Sequence, residues 1–210
     1  QSLIEDRKIG VPLVFQSYFG FPPFPPTSFR YNPTLGGGSL NDAGSYTIFM
    51  ARKMFGEPLA VTAILNIAPE SHVDVHGSVL LEFPLQKTGL LSFGFDNVYQ
   101  NNYSIWGTKG LIKVLRAYSI PPDLKPPVEV LTNEQMKETI TLLDLPAANH
   151  FELLFNDFCD TILQKDEQKK EMMYKLLLAQ GKVLEAIRIS ARENRKVVLS
   201  ELSSGRGQDQ

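Results

Sequence analysis

The sequence predicts an α+β domain: an open, largely antiparallel β-sheet with helices packed on one face and an oligomer interface on the other. Three observations carry this. The hydrophobic patterns run in the order of a helix, a series of strands, and then two helices. Connections between the strand patterns are short, as at Pro84–Thr88, which suits antiparallel neighbours and not βαβ crossovers. And 210 residues, 43% of them hydrophobic and 21% charged, suffice to bury a core without a metal or disulfide staple.

Residues 1–8 read as the end of a helix stopped at Gly10. Val11–Phe19, rich in β-branched and aromatic residues, reads as a strand. Phe21-Pro22-Pro23-Phe24-Pro25-Pro26 cannot continue it, because the prolines remove ladder donors, so the chain up to Leu35 is a stiff loop. After Gly36-Gly37-Gly38, the residues Leu40, Ala43, Thr47, Met50, Ala51 and Met54 recur at helical spacing until Gly56 and Pro58 close the pattern. Strand patterns follow at Val61–Ala68, Val73–Phe83, Gly89–Phe95, Tyr103–Gly107 and Leu111–Arg116, with a further pair at Val128–Leu131 and Glu138–Leu143. A second rigid loop, Pro121–Pro127, interrupts them. The last third is helical. Asn149–Gln164 gathers Phe151, Leu154, Phe155, Phe158 and Ile162 on one face, which also places Cys159 among apolar neighbours as a buried thiol. A long helix then runs to about Asn194 with Leu176, Leu177, Ala179, Val183, Leu184 and Ile187 inward. Residues 200–210 read as a flexible tail.

Composition excludes several classes. Lys and Arg number 21 against 23 Asp and Glu, a net charge of −2, which argues against a nucleic-acid binder. The single cysteine rules out an intramolecular disulfide and any multi-cysteine zinc site. The best apolar run, Leu59–Ala68, is broken by Thr62 and Asn66, so no membrane span is expected. With no signal-peptide layout at the N-terminus, the expected compartment is the cytoplasm. The chain does not open on Met and reads as a piece of something longer.

Few residues stand out chemically. The triple glycine lacks a following Lys-Ser/Thr and a preceding strand, so it reads as a hinge for close backbone approach and not as a phosphate loop. Asp42 and Tyr46 lie four apart on one helix face. A tyrosine there can protonate an oxygen becoming an alkoxide, given a cationic neighbour; the bland alternative is a capping Asp42 and a packing Tyr46. His72, Asp74 and His76 alternate along a strand pattern, but the comb lacks a convergent further ligand, so no metal site is expected.

Phe29–Tyr46, continued by Ala51-Arg52-Lys53-Met54-Phe55-Gly56-Glu57-Pro58, then Tyr103–Gly110 and Val183–Arg192, resembles in order the C-terminal domain of the Gfo/Idh/MocA oxidoreductases. The resemblance spans about residues 1–199. Phe21-Pro22-Pro23-Phe24-Pro25 and Gly94-Phe95-Asp96 look most like the sugar-nucleotide 3-ketoreductases. The resemblance implies hydride transfer between NADPH or NADH and a keto-sugar or sugar nucleotide. Many members have His where this chain has Tyr46; the branches with Tyr use it as the proton donor, with Asp42 its neighbour. Phe24, Arg30, Tyr31 and Asn149 would line the sugar or nicotinamide pocket. Separately, Leu90-Leu91-Ser92-Phe93-Gly94-Phe95 carries apolar residues on both strand faces in places, so a homo-oligomer formed through the open sheet face is expected.

The family's N-terminal Rossmann domain, with its glycine fingerprint and catalytic lysine, is absent from these residues. That domain would hold the dinucleotide, and the lysine would lower the tyrosine pKa. The expectation is therefore that residues 1–199 form a substrate-binding and oligomerisation domain that does not catalyse hydride transfer alone. The alternative is a stand-alone sugar-binding or oligomerisation module that has lost catalysis.

Overall fold

The structure, a computed structural model, describes residues 2–203. It contains α1 (Ser2–Glu5), β1 (Pro12–Gly20), α2 (Ser45–Phe55), β2 (Ala60–Ile67), β3 (Asp74–Glu82), β4 (Thr88–Gly94), β5 (Gln100–Gly107), β6 (Gly110–Val114), β7 (Val128–Glu134), β8 (Lys137–Leu143), α3 (His150–Leu163), α4 (Glu167–Glu193) and β9 (Val197–Val198). The strands form one sheet in the order β8-β7-β6-β5-β1-β4-β3-β2-β9. Every pairing is antiparallel except β1 with β4, which run parallel at the centre. The fold is thus the α+β open sheet that the patterns predict. Only β9 escapes the sequence reading, because a two-residue strand has no period to detect; it pairs with Ala60 and Val61.

One face of the sheet carries the core. In β1, Phe15, Ser17 and Phe19 point inward while Gln16 and Tyr18 point out, the period of two expected of a half-buried strand. Against the inward face pack Ile48, Ala51 and Phe55 of α2 and Val183, Ala186 and Ile187 of α4. Each large side chain buried this way stabilises the fold by about 1.5–3 kcal/mol. The other face is left to solvent in the single chain: Tyr18, Ile64, Leu90 and Trp106 lie exposed among hydroxyl and amide side chains such as Thr62, Ser78 and Ser92.

Several expectations are corrected. The helical pattern from Leu40 opens as a π-helical turn, Leu40–Gly44, before α2 begins. Gly44 packs so closely on Phe93 that a methyl there would lie 3.0 Å from the ring, and the widened turn accommodates that approach. His72 does not share a strand face with Asp74 and His76; it sits in the turn before β3 at a φ of 58°. Asp74 instead caps the approach to α2, accepting from Leu40 N (2.6 Å) and Ser39 Oγ (2.8 Å). His76 Nε2 pairs with Asn66 Nδ2.

The apolar face of α3 is outward: Phe155 is 64% exposed, and Phe151, Leu154, Phe158 and Ile162 are exposed with it. Cys159 is accordingly exposed, not buried. In α4 only the C-terminal half packs on the sheet. Leu176 and Leu177, expected inward, are exposed, Leu177 by 68%. Periodicity shows that a face is apolar, not what covers it. The tail expected from residue 200 is ordered at its start, where Leu199–Ser203 form a 3-10 turn. The rest of it, 204–210, lies outside the described residues.

Candidate active site

The site is built at the C-terminal ends of the two parallel strands. Leaving β1, the chain is held to the end of β4 by Phe21 N to Gly94 O (3.2 Å) and Asn97 N to Phe21 O (3.1 Å). The proline-rich loop cannot form ladder bonds, so aromatic packing and one side chain organise it. Phe21 stacks on Phe95 at 5.5 Å, and Phe24 meets Phe21 edge-on at 5.3 Å. The Tyr31 hydroxyl donates to Asp96 Oδ1 (2.7 Å) and accepts from Phe24 N (3.2 Å), closing the loop on itself. Burial, reinforced by the Asp96 bond, raises the Tyr31 pKa, so this hydroxyl keeps its proton and its donor role.

Arg30 joins that loop to the helix. Its Nε lies 2.7 Å from Asp42 Oδ2, and its guanidinium lies over the rings of Phe24 (4.3 Å) and Phe29 (4.8 Å). Asp42 is therefore an ion-pair partner, not a helix cap. The triple glycine makes this geometry possible. A methyl on Gly37 would come within 2.5 Å of Arg30 O, and one on Gly38, at a φ of 113°, within 2.3 Å of Asp74 Oδ1. These glycines are packed against backbone and carboxylate and do not form a phosphate cradle.

Tyr46, in the first turn of α2, is 51% exposed. Its ring packs edge-on against Phe19 (5.4 Å) and Tyr118 (6.1 Å). Beside it opens a recess of about 380 Å³, bounded by Phe49, Met50, Ala117, Tyr118 and Gln180. Tyr118 is anchored twice: its Oη shares a 2.5 Å hydrogen bond with Ser17 Oγ, and its backbone N donates to Asn101 Oδ1 (2.7 Å). Burial pushes the Tyr118 pKa far above the ordinary tyrosine value, although the Ser17 bond acts the other way. Gln180 reaches from α4 to Ser45 O (3.0 Å) and accepts from Arg52 Nη1 (2.6 Å), which ties the floor of the recess to the long helix.

Of the residues singled out in the sequence, the structure brings together Phe24, Arg30, Tyr31 and Asp42, and links Tyr46 to them through Phe19 and Phe21. Asn149 is not among them; it caps α3 through Oδ1 to Glu152 N. Tyr118, Ser17 and Gln180 were not legible, since each comes from a distant part of the chain. Asp96 belongs to Gly94-Phe95-Asp96, a motif whose local pattern carries no role for its carboxylate.

Residues 1–113 match the GFO/IDH/MocA C-terminal domain. The chain is 36% identical over 148 residues to the dTDP-3,4-didehydro-2,6-dideoxy-alpha-D-glucose 3-reductase of Saccharopolyspora spinosa, covering 70% of this chain and 43% of that protein. It is 28% identical to the enzyme of the same name from Actinomadura kijaniata, covering 91% and 56%. Among solved structures, KijD10, a 3-ketoreductase from Actinomadura kijaniata in complex with NADP and TDP-benzene, superposes with a TM-score of 0.82 at 27% identity, covering 90% of this chain and 57% of that one. The chain thus spans about half the length of the curated relatives it matches.

Proposed function

Since this chain belongs to the GFO/IDH/MocA family through its C-terminal domain, we propose that it is the substrate-binding and oligomerisation part of an NAD(P)-dependent oxidoreductase acting on a keto-sugar carried by a nucleotide. The observation that carries this reading is the convergence of the half-exposed Tyr46 and the Arg30–Asp42 pair at one end of the sheet, in a chain similar to 3-ketoreductases. Tyr46 is the proton donor. As a carbonyl carbon accepts hydride, its oxygen gains charge, and a phenol within hydrogen-bond reach delivers the proton that completes the alcohol.

The residues fit one end of a nicotinamide cofactor, which when bound supplies the hydride. The recess beside Tyr46 has flat apolar walls in Phe49, Met50 and Ala117, suited to a ring face. The dinucleotide phosphates belong to a Rossmann domain outside these residues. NADP and NAD both fit this reading. Arg30, held by Asp42 and Phe24, orients the substrate, with Tyr31 fixing the loop that carries Phe24. Asn149 enters only through the family resemblance. The exposed sheet face is the homo-oligomer interface. The location is the cytoplasm; no described helix is long and apolar enough to cross a membrane.

The test is Tyr46→Phe in the protein at its natural length, assayed by loss of NADPH absorbance with a dTDP-linked 3-keto-sugar. Removing a positioned acid lowers kcat by about 10²–10⁴-fold with the substrate Kd little changed. Unchanged turnover would remove Tyr46 from the chemistry.

A further inference from the structure

A cavity of about 530 Å³ lies against Phe24, whose ring is linked to Tyr46 through the Phe21 and Phe19 rings. Its walls are the Phe24 and Tyr31 rings and Pro26, and Glu70, Ser71 and Asp96 supply its polar groups. We propose that this cavity is the nucleoside subsite: it takes the base and pentose of a pyrimidine nucleoside diphosphate whose sugar reaches Tyr46 and whose phosphates lie at Arg30. The proposal rests on the sugar-nucleotide reading above and adds where the nucleotide binds.

Three features support it. First, two aromatic rings and a proline offer flat apolar surface, which suits a base better than a flexible polyol. Second, one polar group has unused capacity. Asp96 engages Tyr31 through Oδ1 alone among its described bonds, so the other oxygen can accept from a pentose hydroxyl. Two carboxylates also repel phosphate, so the charged part of the ligand must lie outside. Third, Arg30 lies between the two ends. It contacts Phe24, a wall of this cavity, and pairs with Asp42, one helical turn before Tyr46. Because it binds Asp42 through Nε, its terminal nitrogens can face phosphate oxygens. The backbone at Asp96 is in the left-handed region, φ 60°, a conformation that Asp and Asn tolerate better than most residues. It aims the carboxylate into the loop cluster.

The experiment is calorimetric titration of the natural-length protein with thymidine diphosphate, its 3′-deoxy analogue and inorganic pyrophosphate. Phe24→Leu should weaken thymidine diphosphate by about tenfold through lost stacking, and leave pyrophosphate unchanged. Asp96→Asn keeps the backbone conformation and an oxygen for Tyr31. It should shrink the difference in affinity between thymidine diphosphate and the 3′-deoxy analogue, about tenfold in the parent, to about threefold or less. Thymidine diphosphate binding no tighter than pyrophosphate, or equally to the parent and both variants, would overturn the proposal. Tyr46→Phe separates the two readings. If it turns over normally while the nucleotide results hold, the catalytic assignment fails and the subsite stands; if it loses turnover while the nucleotide results fail, the reverse is true.

Discussion

Single residues at this site work through neighbours that only folding supplies. Tyr46 has no distinguishing sequence context beyond Asp42 four residues before it, yet its ring is oriented by Phe19 and Tyr118, the latter 72 residues away in the chain. Tyr118 in turn depends on Ser17. Burial raises its pKa above the unfolded value of 10.0, so the folded protein holds this proton where the unfolded chain has lost it. The stability linked to that proton is full below pH 10 and is lost as pH rises through the folded value. Urea unfolding at pH 8 and at pH 11 should therefore show a steep alkaline loss in the parent and a shallower one in Tyr118→Phe. At pH 8 the variant should be less stable by about 1 kcal/mol, for the lost Ser17 hydrogen bond. Equal alkaline slopes would mean that Tyr118 ionises as freely folded as unfolded.

At the scale of elements, the junction of α2 with α4 holds the Tyr46 recess in shape. Arg52 is only 4% exposed; it forks onto Glu57 at 2.9 and 2.7 Å and donates to Gln180, whose amide then reaches Ser45 O. Glu57 is itself half in water, so removing Arg52 strands no buried charge. Arg52→Ala should therefore cost about 2 kcal/mol in chemical denaturation, less than a fully buried ion pair would. It should also weaken substrate binding by releasing Gln180. The helical spacing identified both helices but could not register this contact. Likewise the spacing marked the apolar face of α3 without showing that it stays outward, with Cys159 exposed beside it. An aqueous thiol reagent should label Cys159 in the folded 210-residue chain without denaturant. Protection until denaturant is added would show that this face is covered in solution.

Over the whole molecule, the sheet has one face under helices and one bare. Ile64 and Trp106 stand out on the bare face among hydroxyl and amide side chains, a mixture suited to pairing with a second sheet. Ile64→Arg should lower the mass measured by light scattering from that of an oligomer to that of one chain. An unchanged mass would place the interface elsewhere. The sequence by itself determined the α+β class, eight of the nine described strands and the described helices, because alternation at period two and recurrence at 3.6 are local consequences of burying one side of an element. It also determined that the triple glycine marks a close approach and not a phosphate loop, since the residues a phosphate loop requires are missing beside it. Only the tertiary structure decided which apolar faces are covered, that Asp74 accepts from the backbone at the approach to α2, and that Tyr31, Asp96, Glu70 and Ser71 share one cavity. The physical reason is that those relations join residues tens of positions apart. Sheet order and loop closure set them, and a local pattern carries no record of either.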